Sequence, residues 1–268
     1  MTASPMNRAH EPLSQHPAVC VILGRAGSKG VPGKNTRTIA GRPCAAWSID
    51  AALAARETGH VKLVAVSSDD AALLSLARDR GCEAIQRPSD LATDRARVDD
   101  ALRHAIETLD ARQTPEHAWL RDAGESLPIV MLYANVPVRP HGCVAAAIER
   151  LWHTGADSVQ TYQPVGKMHP WWTVRVDDAT GQVAPWEGNQ LFHGVFRRQD
   201  LPPALVPDGA VAVMTRRALF NRVPDVAPGP HSFFGRDRRG VINPEGSVVD
   251  IDSPIDAIVA DAILRGTT

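Results

Sequence analysis

Asp250 and Asp252, in the stretch VVDIDSPID, stand two residues apart near the C-terminus, and Arg25, Lys29 and Lys34 stand in VILGRAGSKGVPGKN near the N-terminus. Carboxylates at alternate positions of a strand share one face, where both can hold one hard cation. Acidic residues also gather at helix N-termini, so Ser253 or Asp252 fits equally as the cap of a following helix. In the N-terminal stretch, Gly24, Gly27, Gly30 and Gly33 let the backbone come close to a ligand, and exposed N–H groups there can cradle phosphate oxygens. An ordinary surface turn has a similar composition. The Walker pattern fails, with Ser28 where its first glycine belongs and Asn35 where its magnesium-binding hydroxyl belongs, and the dinucleotide G-x-G-x-x-G spacing is absent. A polyphosphate cradle strengthens the cation reading of the two aspartates, because Mg²⁺ joins one or two carboxylates to substrate phosphates.

Other stretches carry less. Trp171 and Trp172 beside His169-Pro170 fit a sugar pocket, but packing or an oligomer interface accounts for them as well. The pairs Arg197/Arg198 and Arg216/Arg217 read as solvated surface, and none of the ten histidines stands at metal-ligand spacing.

The elements that must hold these residues follow from periodicity. Ala18 to Leu23 forms an apolar run that delivers the glycine-rich loop, and VKLVAV (61–66) and PIVMLYANV (128–136) are further strands. Helical spacing runs from Pro43 to Gly59, through Leu73, Leu76 and Ala77 to Gly81, and through Val98, Leu102, Ala105, Ile106 and Leu109. Strand and helix alternate as in parallel crossover units. From Asp157 the chain becomes β-rich and heavy in Pro, Gly and Trp, which predicts antiparallel additions, before VVDID and a last helix through Ile255, Ile258, Val259 and Ile263. The expected organisation is a polar tail at 1–17 and one α/β domain at 18–268, with an insertion at about 157–207 that forms much of a dimer interface.

Composition sets outer limits. A chain of 268 residues, 44% hydrophobic, builds a sizeable core. A net charge of −1 argues against nucleic-acid binding through bulk positive charge, so any polyanion must meet a local cluster. Cys20, Cys44, Cys82 and Cys143 are widely spaced, which fits a reducing, cytoplasmic setting. The first 17 residues lack an apolar core of the signal-peptide kind, and no 18-residue apolar run suggests a membrane span.

Taken in order, LGRAGSKGVPGKN, VSSDD, QRPSDLATD, YANVPVRP, KMHP, VPDGAVAV and VVDIDSPID closely resemble the acylneuraminate cytidylyltransferase family, the CMP-sialic acid synthetases. The resemblance runs from about Val19 to Leu264 and is most specific in the first and last motifs. It implies a Rossmann-like nucleotidyltransferase fold, mostly parallel, in a homodimer that takes CTP and a nine-carbon 2-keto sugar acid and yields the CMP-sugar and pyrophosphate. It also implies that Arg25, Ser28, Lys29, Lys34 and Asn35 form the nucleotide loop, opened by Leu23 and Gly24. Arg87 falls near the cytosine, Asp250 and Asp252 match the magnesium carboxylates, and Lys167, His169, Arg198 and Gln199 fall near sugar-side positions. Arg25, Lys34 and Asp252 are the residues expected to carry the chemistry.

The acceptor motifs depart from the family. Where it reads Gln-Pro-Thr-Ser-Pro-Leu-Arg, this chain has Tyr133-Ala-Asn-Val-Pro-Val-Arg139, so Tyr133 replaces a sugar-contacting glutamine. Where it reads Arg-Pro-Asn-Gly-Ala-Ile-Tyr, this chain has Val206-Pro-Asp208-Gly-Ala-Val-Ala212. Asp208 is expected to repel a substrate carboxylate brought close in a partly desolvated site. The alternatives are a different acceptor, such as a 3-deoxy-octulosonate-type sugar, or a nucleotide-binding protein that has lost turnover.

Overall fold

The computed structural model describes residues 16–27 and 30–266; Ser28, Lys29 and most of the 1–17 tail lie outside the described residues. The β-strands β1 (Ala18–Leu23), β2 (Val61–Ser68), β3 (Glu83–Gln86), β4 (Pro128–Tyr133), β5 (Ser158–Pro164), β6 (Leu205–Thr215) and β7 (Arg238–Ile242) form one sheet in the order β7-β5-β6-β4-β1-β2-β3. Strands β3, β2, β1 and β4 are parallel. Strand β6 runs antiparallel between β4 and β5, and β7 is parallel to β5. The sheet is thus mostly parallel with an antiparallel addition, as the change of texture after Asp157 predicts.

Alternation along β1 builds the two outer layers. Ala18, Cys20 and Ile22 face α1 (Cys44–Glu57), α2 (Ala71–Asp79) and α5 (Cys143–Thr154), whereas Val19, Val21 and Leu23 face α3 (Val98–Asp110) and α4 (Pro115–Asp122). A strand buried on both faces reads as a continuous apolar run, as this one does. Helix α2 starts where the Asp70 carboxylate accepts from Ala72 N at 2.9 Å. Helix α5, which the periodicity reading leaves out, lies between Gly142 and Gly155, both left-handed.

A third, smaller cluster governs the ligand end of the sheet. Val31 of the glycine-rich loop packs with Ile39, Val138 and Ile251 and with Ala257 and Ala260 of α7 (Pro254–Gly266), which comes after the short α6 (Arg216–Leu219) and follows the acidic segment. The residues at 157–207 divide between β5 and β6 of the main sheet and a separate hairpin of 174–176 with 183–185. No helix among the described residues is long and apolar enough to cross a membrane.

Asp157, 4% exposed at the entry to β5, joins this half of the sheet. Its Oδ2 accepts from Arg236 N at 2.9 Å and Asp237 N at 3.0 Å, and its Oδ1 pairs with Arg217 at 2.8 Å. Gly235, at φ +71°, is required beside it, because a Cβ there would fall 2.4 Å from the Asp157 Cβ. Asp157→Ala strands two backbone donors and is expected to cost about 2–4 kcal/mol of folding free energy. Denaturant unfolding measures this, and a loss below about 0.5 kcal/mol, the usual range of surface changes, would show that the carboxylate does not brace the sheet.

Candidate active site

The strand order changes direction between β1 and β4, and the loops leaving their C-terminal ends diverge there to open a crevice, the place where open α/β sheets gather ligands. Two adjoining cavities of about 300 and 460 Å³ occupy it, and Val98, Tyr133 and Asp250 line both. The smaller holds Arg25, Lys34, Arg87 and Arg97 in its wall, while no lysine or arginine lines the larger among the described residues. One chamber is therefore suited to a polyanion, and the other is lined by Asp208 and Asp250 with polar and apolar side chains.

Leu23, Gly24, Arg25, Lys34, Asn35, Arg87, Asp250 and Asp252, singled out from sequence, all line the smaller cavity. Gly24 lies so close to its neighbours that a Cβ would fall 2.5 Å from Leu73 Cδ2. Gly30 is as constrained, since its Cβ would fall 2.4 Å from the Asp252 carbonyl oxygen. Asn35 donates through Nδ2 to the Arg25 carbonyl at 2.9 Å and so holds the loop closed, while its buried Oδ1 has no partner. Lys34 Nζ donates to the Ile251 carbonyl at 3.0 Å and to Asp252 Oδ1 at 2.7 Å, which joins the loop to the acidic segment.

Arg87 is held from beneath, with Nε donating to Ser67 Oγ at 3.2 Å and Nη2 to the Ser67 carbonyl at 2.6 Å. Burial draws its pKa down to about 10, against a weaker upward pull from Asp69, so it stays charged at neutral pH. Arg25 pairs with Asp94 at 2.7 Å, and Ala26 N donates to Asp69 Oδ1 at 2.8 Å, so one loop amide is already engaged.

The acidic segment differs from a strand with both carboxylates on one face. Only Val249 pairs, in an isolated antiparallel bridge to Val138, and beyond it the chain bends into α7. Asp256 causes the bend: its Oδ2 accepts from Asp252 N at 3.1 Å and Ser253 N at 2.7 Å, while Ser253 Oγ accepts from Asp256 N at 3.4 Å. This reciprocal cap leaves both Asp250 and Asp252 side chains out of helix capping. Asp252 is 73% exposed, whereas Asp250 is half-buried and accepts from Asn135 Nδ2. Burial pushes the Asp250 pKa up to about 6, helped by Asp252 and opposed by Lys34 and by the Asn135 bond. Burial and the Asp250 charge also push the Tyr133 hydroxyl up, so it remains protonated.

The sugar-side residues divide. Tyr133 stands at the junction of the cavities. Asp208 lines the larger one, but its oxygens are already taken: Oδ1 accepts from Thr161 Oγ1 at 2.5 Å and Ala210 N at 3.0 Å, and Oδ2 from Asn243 Nδ2 at 2.7 Å. It braces the irregularity between Pro207 and Ala212, where β6 breaks register with β5. The Asp208 hydrogen-bonding capacity is thus turned into the protein, while its charge still lines the larger cavity.

Lys167, His169, Arg198 and Gln199 line neither cavity. His169 is buried and its ring serves the fold: Nδ1 accepts from Trp171 N at 3.1 Å, so Nε2 carries the proton and donates to the Pro202 carbonyl at 3.1 Å. Arg198 pairs with Glu245, and Lys167 and Gln199 are exposed. Sequence reasoning missed Arg97 in the smaller cavity and Gln160, His231, Phe233 and Phe234 in the larger. Only the SFF run before Gly235 carried a signal, as an apolar pair in an otherwise polar loop.

Residues 19–166 match the profile of the cytidylyltransferase family, and the chain belongs to that family. It is 29% identical over 207 residues to the N-acylneuraminate cytidylyltransferase of Streptococcus agalactiae serotype III, a match covering 75% of this chain and 44% of that protein. The chain thus spans less than half the length of this relative. It is 27% identical over 249 residues to the CMP-N,N'-diacetyllegionaminic acid synthase of Legionella pneumophila, covering 92% of this chain and 96% of that one. Its fold resembles that of CMP:2-keto-3-deoxy-manno-octonic acid synthetase complexed with CTP, with a TM-score of 0.64 at 16% identity over 94% of this chain and 100% of the other. The two chains thus share their α/β fold.

Asp250 yields a test of the site's electrostatics. Its folded-state value of about 6 lies above the ordinary 3.8, so ionisation opposes folding: the cost is absent below pH 4, grows from 4 to 6 and is complete above 6. Allowing for partial exposure, Asp250→Asn is expected to stabilise the ligand-free protein by about 1–2 kcal/mol at pH 8, with that gain vanishing near pH 4. Urea melts at both pH values check it, and an effect independent of pH would remove the buried-charge account.

Proposed function

We propose that this chain is a magnesium-dependent cytidylyltransferase that transfers CMP from CTP to a 2-keto nonulosonic sugar acid and releases pyrophosphate. The observation that carries the reading is the pair of adjoining cavities: a cation-lined chamber sized for a nucleotide opens at Tyr133 and Asp250 onto a larger chamber without lysine or arginine. Family membership and the named relatives support the same chemistry.

Arg25 and Lys34 bind the triphosphate, and Arg87 donates to the cytosine carbonyl through Nη1, which has no hydrogen-bond partner among the described residues. An acceptor hydroxyl in the larger cavity attacks the α-phosphorus. The bond to the bridging oxygen breaks, pyrophosphate leaves with that electron pair, and the hydroxyl proton passes to solvent. Positioning and charge neutralisation carry this reaction, and no covalent protein intermediate is needed.

Asp250 and Asp252 would hold Mg²⁺. The fit rests on two hard carboxylates left out of helix capping and facing the cation-lined cavity, with substrate phosphates completing the set. When bound, the ion neutralises charge at the phosphates.

A homodimer is part of the proposal. Met168, Trp186, Phe192 and Phe196 of the excursion are exposed, Phe196 at 94%, and a second copy of this chain covers such a face. A reducing, cytoplasmic setting is supported by four free thiols, all buried.

Pyrophosphate release with CTP and a panel of 2-keto sugar acids, octulosonates included, tests the function; CTP binding without release from any acceptor would favour the nucleotide-binding alternative. Asp252→Asn is expected to abolish magnesium-dependent release while leaving the circular dichroism spectrum unchanged, and release at the wild-type rate would remove the metal assignment. Arg87→Ala should weaken CTP binding by about 1.5–3 kcal/mol, and unchanged affinity by calorimetry would exclude its base contact. Light scattering at micromolar concentration should give twice the monomer mass, and a monomer would contradict the interface.

A further inference from the structure

The larger cavity poses an electrostatic problem if its occupant is an acid. Asp208 and Asp250 line it, and no lysine or arginine does among the described residues. Among the lining side chains that can donate, His231 stands at the exposed rim. Its backbone is left-handed, at φ 61° and ψ 14°, a conformation uncommon for a residue other than glycine that persists only where its surroundings enforce it.

Those surroundings are specific. Arg238 donates from Nη2 to the His231 carbonyl at 2.9 Å and from Nε to the Gly235 carbonyl at 3.0 Å, which pins the turn on both sides. The imidazole stacks on Phe234, with centroids 6.2 Å apart and planes within 14°. Arg238 itself lies over Phe234, 5.8 Å from the ring centroid, and does not line the cavity. Among the described residues no hydrogen bond reaches either ring nitrogen of His231, and several acceptor oxygens that line the cavity are engaged by the protein. Asp208 is committed to Thr161, Ala210 and Asn243, and Gln163 Oε1 accepts from Gly246 N at 3.3 Å.

We propose that His231 is the residue that recognises the anionic group of the acceptor. Its ring N–H donates to the sugar-acid carboxylate at the cavity rim, and Phe233 and Phe234 form the apolar wall below. The inference rests on the transferase reading for the identity of the occupant. It predicts that the protein distinguishes an acid from its ester through this one side chain.

The test compares N-acetylneuraminic and N,N'-diacetyllegionaminic acids with their methyl esters, using pyrophosphate release by the full chain with saturating CTP and magnesium. The wild type should show a KM for the better acid about tenfold below that for its ester. His231→Ala should bring the two within about twofold, with the KM for CTP unchanged. His231→Asn, whose side chain tolerates the left-handed backbone but lacks the reach, should do the same. A purely structural role, with the ring as a cover for Phe234, would leave the acid-to-ester ratio intact in both variants and overturn the proposal; so would a cation supplied by a second copy of the chain. If the wild type releases no pyrophosphate with any acid, the transferase reading falls, and direct binding decides the His231 assignment separately. The free acid should then bind with loss of affinity in His231→Asn, whereas absent binding, or binding indifferent to the substitution, overturns it.

Discussion

Lys34 spans 217 residues of sequence to reach the Ile251 carbonyl, and the same ammonium meets the Asp252 carboxylate. A flexible glycine-rich loop has no ordered geometry of its own, and the entropy of fixing it opposes folding. This contact, with Val31 buried against Ile251 and α7, gives the loop one position relative to the acidic segment. The crevice depends on it, because the loop supplies cations and the segment supplies carboxylates to the same cavity. Gly30 permits the approach by bringing its Cα against the Asp252 carbonyl.

Around that contact the acidic side chains have separate tasks. Asp256 caps α7, Asp252 faces solvent beside Lys34, and Asp250 is drawn half into the protein between Asn135 and the junction of the cavities. Desolvation makes Asp250 costly to ionise. Evolutionary tolerance of such a cost is common at functional sites, and here the carboxylate lies where a divalent cation would relieve it.

The acceptor side follows a different logic. A family arginine and asparagine are absent from VPDGAVA, yet the substitution does not place a bare charge in the pocket, because Thr161, Asn243 and the Ala210 amide surround the Asp208 carboxylate. The wall is completed by residues 231–234, which reach it because Asp157 fixes the following turn. Part of the lining of this cavity therefore comes from a part of the chain remote from the altered motifs.

The sequence alone determined three of the four strands of the parallel half, β1, β2 and β4, since strands buried on both faces and helices with one apolar side write their periods directly into residue order, whereas the short edge strand β3 (Glu83–Gln86) was not legible. It also determined the glycine loop and the aspartate pair, whose composition is unusual enough to be recognised locally. Tertiary structure alone decided the rest. VVDID has the alternation of a strand, but Asp256 and the bridge from Val249 to Val138 turn it into a bent connector, because a carboxylate accepting two backbone N–H groups outweighs weak strand propensity. His169 looked available in sequence and is consumed by two backbone contacts. His231 looked ordinary and is held at a cavity rim by Arg238, with no hydrogen bond to its ring among the described residues. Whether a polar side chain is free or spent depends on neighbours distant in sequence, and only the folded chain specifies those.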